Sequence, residues 1–309
     1  MLTILLATLL VGLLVLAWSA DLLLRQAARL AERLNAPPLL LGVLLVGLGT
    51  SAPELLVSAV AAFDGRGDMA AGNAIGSNIA NLALVLPLTA LLVPLRSASG
   101  PPLIASCVLL GITLCVPVLL WDGQLSRGNG AVLLLALVLA LFWLARRRSP
   151  EVAATATSDA PPWRPLLMAL TALALLLLGA RVAVWSAAEL AHLFGLSELV
   201  IGLSVLALGT SLPEIATCLA AARQRQGALL YGNLLGSCLF NLLGVLGLAA
   251  VIQPLPLPTV FLTRDYLLMS LVTLGAGALL HRRRGTGLTI ALLLLATYIG
   301  YQWLILGAH

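Results

Sequence analysis

Two glutamates of this 309-residue chain stand inside apolar runs, and both stand in the same setting. Glu54 follows Gly-Thr-Ser-Ala-Pro at 49–53, and Glu214 follows Gly-Thr-Ser-Leu-Pro at 209–213. A proline within a helix lacks an N–H and clashes with the carbonyl four residues back, so the Gly49 carbonyl loses its partner. Gly47 and Gly49 lower the cost of local unwinding. Thr50 and Ser51 bring hydroxyls to the break. Free carbonyls, hydroxyls and a carboxylate make a hard, oxygen-only ligand set, which suits calcium or sodium and not a soft transition metal.

Each glutamate has a companion stretch. GNAIGSNIANL (72–82) and GNLLGSCLFNL (232–242) follow their acids at the same distance. Asn73, Ser77 and Asn81 are spaced by four and so share one helical face, as do Asn233, Ser237 and Asn241. Gly72 and Gly76 beside that face admit a close neighbour. The stripe is expected to face the broken helix that carries Glu54, and its twin to lie beside Glu214. Asn73 and Asn233 can serve there either as ligands or as clamps between helices.

Elements that position these residues follow from composition. The chain is 61% hydrophobic and 9% charged, with mean hydropathy +1.08. That is far too little charge to cover a soluble domain. Apolar runs of about twenty residues recur along it, the length of a helix that crosses a hydrocarbon core roughly 30 Å thick. Continuous rather than alternating runs exclude a β-barrel. The expected fold is an all-α polytopic membrane protein. Ten spans are placed at roughly 2–24, 38–63, 70–94, 102–121, 129–145, 166–190, 198–222, 228–252, 265–281 and 287–306. MLTILLATLLVGLLVLAWSA at the start has no basic residue ahead of its apolar stretch, so it reads as a retained helix and not a signal peptide.

Sliding the chain against itself at an offset of 160 superposes both motif pairs without a gap. Five spans lie in each half, an odd number, so the second half enters the membrane from the opposite side. The expected organisation is therefore two inverted five-helix repeats, 1–146 and 165–309, joined by a cytoplasmic linker at 147–164. The motif pairs lie within 38–95 and 198–255. AWSAD (17–21) resembles VWSAAE (184–189) in a register shifted by seven residues, about two helical turns. Inverted repeats with interrupted helices at matching places are the mark of secondary transporters.

Charge placement sets the orientation. All seventeen Lys+Arg residues are arginine. With both termini outside, thirteen fall in loops facing the cytoplasm, three in the opposite loops, and Arg181 within a span. This bias is a topology signal, so nucleic acid is not an expected partner; the bilayer is. Of twelve acids only Glu54 and Glu214 lie well inside spans, where an ionised acid costs roughly 2.5–3.5 kcal/mol or more. A single such acid can be protonated structural glue, but two in the same context point to a cation site. Two ionised glutamates balance one Ca²⁺ or two Na⁺. Cys107, Cys115, Cys218 and Cys238 form no C-x-x-C pair and read as packing residues. Arg181 can snorkel outward. Asp21 and Glu189 read as interfacial, His192, His281 and His309 receive no role, and DGQLSRGNG (122–130) reads as an external turn without EF-hand acid spacing.

The paired GTSxPE and GNxxGSxxxN motifs resemble the two alpha-repeats of the cation/calcium exchanger superfamily, and the whole chain resembles the small bacterial inner-membrane sodium/calcium antiporters. The resemblance implies Ca²⁺/Na⁺ exchange by alternating access, with spans 1 and 6 sliding across a core of the other eight. It implies Glu54 and Glu214 as central ligands, with Thr50 and Thr210 adding oxygens. Ser51, Ser77, Ser211 and Ser237 would line flanking sodium sites, Gly47 and Ala207 would offer carbonyls, and Asn81 and Asn241 would sit at mid-site. It implies no cofactor and no obligatory protein partner. Many sodium/calcium relatives carry aspartate where this chain has Asn241, so two acids rather than three are present. A proton/calcium antiporter is the nearest alternative, although its members place a second acid where this chain has Gly76 and Gly236. An intramembrane protease built on two acids would need neither the hydroxyls nor the GNxxGS stripes.

Overall fold

The computed structural model describes residues 1–93, 101–146, 163–195, 207–281 and 287–307. Residues 147–162 of the expected linker, the 198–206 part of the seventh expected span, and Pro94 and Leu95 lie outside the described residues.

The chain is built from helices: α1 (Leu2–Leu34), α2 (Pro38–Thr50), α3 (Ala52–Phe63), α4 (Gly67–Leu92), α5 (Pro101–Leu119), α6 (Arg127–Arg146), α7 (Trp163–Leu193), α8 (Ala207–Thr210), α9 (Leu212–Arg223), α10 (Gly227–Ile252), α11 (Leu267–His281) and α12 (Gly287–Gly307). Among the described residues six helices are long and apolar enough to cross a membrane, and the bent pair α2–α3 makes a seventh. That is fewer than the ten spans read from the sequence. Part of α5 counts as a shorter apolar helix, and only Ala207–Thr210 of the second broken span's first arm is among the described residues.

Two boundaries differ from the expectation in an informative way. α1 runs ten residues past the expected end, so Arg25, Arg29 and Arg33 lie on a helix and not in a loop. The helix continues because Leu23, Leu24, Gln26, Ala27, Leu30 and Ala31 keep one buried face. It stops where Asn35 turns left-handed (φ 47°) ahead of two prolines. α7 likewise extends to Leu193. The 122–130 stretch is also more than a turn: Gln124–Leu125 (β1) pairs antiparallel with Leu255–Pro256 (β2) and ties this loop to the chain leaving α10.

Burial separates core from periphery. In the apolar window of α10, 83% is buried inside the protein, against 22% in α1. α10 is therefore the central post, and α1 and α7 are a lipid-facing pair packed on each other. Their closest approach is reciprocal. A Cβ on Gly12 would lie 2.8 Å from the Ala183 nitrogen and 3.1 Å from the Gly179 carbonyl; one on Gly179 would lie 2.9 Å from the Leu16 nitrogen and 3.1 Å from the Gly12 carbonyl. Gly12 and Gly179, like Leu16 and Ala183, are related by the seven-shifted register of AWSAD and VWSAAE.

Candidate functional site

The break expected at Pro53 is present: α2 and α3 meet at Ser51 with a bend of 50°. Ser51 (φ −85°, ψ 3°) and Ser211 (φ −87°, ψ 0°) have the same backbone conformation. The two halves thus interrupt their helices at equivalent residues, with Pro53 and Pro213 in the opening turn that follows, where a missing N–H costs little. Glu54 and Glu214 sit in the first turns of the twelve-residue helices α3 and α9.

Both carboxyls are buried and near enough to feel each other's charge. The Thr50 side chain reaches Glu214 across the halves. Its hydroxyl is also 3.3 Å from both the Gly47 carbonyl and Asn233 Oδ1, either of which can accept its proton. Ser237 Oγ donates to the same Gly47 carbonyl at 3.3 Å. Here the structure extends the sequence reading. The Asn233–Ser237 face of α10 meets both broken helices: Asn233 bonds α9 of its own half, as expected, and Ser237 reaches the broken helix of the first half as well. Glycines make this approach possible: a Cβ on Gly42 would lie 2.7 Å from the Leu229 carbonyl, and one on Gly236 2.8 Å from the Val43 Cα. Among the described residues nothing lies within 4 Å of a Cβ placed on Gly72 or Gly76, the equivalents of Gly232 and Gly236.

Asn73 and Asn233 act as clamps. Asn73 Nδ2 donates to the Glu54 carbonyl (3.1 Å) and Ser58 Oγ (2.8 Å), fastening α4 to α3. Asn233 Nδ2 donates to Thr217 Oγ1 (2.9 Å) and so fastens α10 to α9, while its Oδ1 looks toward Thr50. Asn81 and Asn241 are buried, and each lies in a π-helical turn, Asn81–Val85 and Phe240–Val245. Such turns widen the backbone and recur at functional sites.

Six buried side-chain atoms lack a partner among the described residues: Ser51 Oγ, Glu54 Oε2, Asn78 Oδ1, Glu214 Oε2, and both amide ends of Asn241. Unpaired buried polar atoms are rare in folded proteins. Four of the six are oxygens of the sequence-predicted site, and with Thr50 they form a set of hard donors. No three His, Cys, Asp or Glu side chains converge among the described residues, so any ion held here depends on neutral oxygens beside the two carboxylates. The remaining expected residues differ in setting. Ser211 is buried, Ser77 is half-buried, Thr210 is exposed, and Ala207 opens α8. Sequence reasoning missed Asn78, Ser58 and Thr217. Ser58 and Thr217 lie four and three residues beyond their glutamates, a spacing that places them on the same helical faces.

This geometry agrees with what the chain is similar to. The family model for sodium/calcium exchanger protein matches residues 4–146 and 164–307. The putative antiporter CaxA of Alkalimonas amylolytica is 39% identical, covering 96% of this chain and 97% of its own length. The inner membrane protein YrbG of Escherichia coli K12 is 37% identical, covering 92% of each. Among solved structures, the sodium-calcium exchanger NCX_Mj soaked with 10 mM Na⁺ and zero Ca²⁺ superposes with a TM-score of 0.84 at 29% identity, covering 97% of this chain and 98% of that one. The chain is a membrane protein that belongs to the sodium/calcium exchanger family.

Proposed function

We propose that this protein is a secondary antiporter that exchanges Ca²⁺ for Na⁺ across the bacterial inner membrane at a site centred on Glu54 and Glu214. The observation that carries the reading is the pair of buried Glu Oε2 atoms, unpartnered among the described residues, each in the opening turn of a helix that follows a break. Two ionised carboxylates need a compensating charge of +2, which one Ca²⁺ or two Na⁺ supplies. Bidentate carboxylates and the carbonyls of Gly47 and Ala207 would bring the coordination to about six oxygens, within the usual range for calcium. Thr50, Thr210, Ser51, Ser211, Ser77, Ser237, Asn81 and Asn241 would complete the calcium and sodium positions. The ion gradient drives the exchange, so no cofactor enters it.

Ten spans in two inverted repeats, 1–146 and 165–309, with both termini outside, fit this role. Identical breaks at Ser51 and Ser211 support the repeat, as does the reciprocal contact of Gly12 and Gly179. Alternating access is supported by an inequality: Thr50 is buried while Thr210 is exposed. Equivalent residues of an alternating transporter occupy unlike environments in any one state.

A second reading, proton/calcium antiport, is favoured by Asn81 and Asn241, which leave only two acids for the driving ions. Uptake of ⁴⁵Ca²⁺ into proteoliposomes, driven separately by an outward Na⁺ gradient and by a pH gradient, decides between the two.

A further inference from the structure

One cavity among the described residues lies away from the two glutamates. It is a groove of about 240 Å³ between α1 and α9, walled by Leu13, Leu16, Ala17, Leu212, Ile215 and Leu219 with their neighbours. Asp21 and Arg223 line its far end. The pair does not form a salt bridge. Asp21 instead accepts from Gln224 Nε2, at 3.0 Å on its backbone carbonyl and 3.2 Å on Oδ1. Arg223 is left exposed with no anionic partner among the described residues, and Arg225 is exposed two residues on. Arg25, also exposed, lies one helical turn beyond Asp21 on α1.

The mouth of the groove thus carries Arg223, with Arg25 and Arg225 beside it, against the single carboxylate of Asp21, and the groove is aliphatic along its length. From Arg223 to Leu212 is eleven residues of helix, about 16 Å. Half of a hydrocarbon core roughly 30 Å thick is about 15 Å, the depth of one leaflet. A cation conduit is a poor match, because its walls would need carbonyls and carboxylates where these are Leu, Ile and Ala, and guanidinium groups at its mouth would repel the ion. The arginine-rich side is also the one the charge bias places in the cytoplasm, where anionic lipid headgroups attract basic residues.

We infer that the α1–α9 groove is a binding site for an anionic phospholipid, with its phosphate held by Arg223 and assisted by Arg25 and Arg225, and one acyl chain lying along Leu219, Ile215 and Leu212. The inference about binding stands by itself. Its consequence for transport rests on the proposed exchange: α9 carries Glu214 at its other end, so a lipid between α1 and α9 braces the helix that positions this carboxylate.

The test uses the full-length protein purified with phosphatidylglycerol and phosphatidylcholine supplied in equal amounts, with retained lipid counted by native mass spectrometry. Wild type is expected to retain phosphatidylglycerol at least tenfold over phosphatidylcholine. Arg223→Gln, which removes the phosphate partner, and Ala216→Trp, which fills the groove, should each abolish the preference. Arg164→Gln, on the same expected side but outside the groove, should keep it. Thermal melting identifies any variant that fails to fold. A wild-type protein without preference, a preference surviving both groove variants, or one lost equally in Arg164→Gln overturns the inference. Wild type that selects phosphatidylglycerol yet moves no Ca²⁺ would instead contradict the proposed function and leave the lipid site standing.

Discussion

Asn78 Nδ2 donates to the carbonyl of Cys238 at 3.2 Å, and Cys238 is the residue 160 positions further along, its equivalent in the second half. Contact between equivalent residues is what two repeats meeting at a common axis would produce, and so supports the proposed repeat. Gly12 and Gly179 make a second such contact at the outer pair of helices. Glu54 and Glu214, also equivalent, lie near enough to interact. The site therefore belongs to neither half alone.

Removing either carboxylate should be decisive. Glu54→Gln and Glu214→Gln keep shape and remove one charge each, so Ca²⁺ would face one carboxylate instead of two. The expected outcome is loss of Ca²⁺-dependent thermal stabilisation, with uptake reduced to background. Stabilisation by Ca²⁺ that persists in both variants would place the ion elsewhere.

Charge counting makes a prediction about voltage. If one Ca²⁺ and two Na⁺ each neutralise the pair, the exchange moves no net charge. Initial uptake rates should then be indifferent to a membrane potential imposed with K⁺ and valinomycin. Asn241→Asp adds a third acid at a buried position whose two amide ends have no partner among the described residues, and should introduce a dependence on potential.

The clamps should matter for stability before chemistry. Asn233→Leu leaves Thr217 Oγ1 without its donor and removes the oxygen facing Thr50. Buried polar groups stripped of partners cost about 1–3 kcal/mol. A lower melting temperature without Ca²⁺ and a weaker response to added Ca²⁺ are expected, both read by a thermal shift titration.

Close backbone packing gives a sharper test of the fold. A Cβ on Gly42 would press on the Leu229 carbonyl and on the Gly232 Cα, both backbone atoms that cannot swing aside. Gly42→Val should destabilise by about 1–3 kcal/mol, as overpacking does. Gly277→Val, where no heavy atom lies within 4 Å of a Cβ among the described residues, should be tolerated far better.

The helix break and the buried pair of acids were legible in the sequence because they violate their surroundings. A proline and an acid in an apolar run have no bland explanation once they recur with the same hydroxyls at the same offset. Asn78 was hidden for the converse reason: its equivalent is Cys238, so self-comparison passes over it, and it stands off the stripe of Asn73, Ser77 and Asn81. The cross-half reach of Ser237 to Gly47 was also out of sight, since periodicity names a face but not what it meets. Arg25, Arg29 and Arg33 suggested a loop, because charge ends a span; burial of Leu30 and Ala31 shows that it need not end the helix. The π-helical turns at Asn81 and Asn241 leave no mark on hydrophobic periodicity.

The most direct test of the central claim is ⁴⁵Ca²⁺ uptake into proteoliposomes of wild type and Glu54→Gln, driven by an outward Na⁺ gradient with pH held equal on both sides. Two buried glutamates that exchange one Ca²⁺ for Na⁺ predict uptake by wild type and none by the variant. Uptake that requires a pH gradient and ignores sodium would contradict sodium coupling, and uptake undiminished in Glu54→Gln would contradict the site itself.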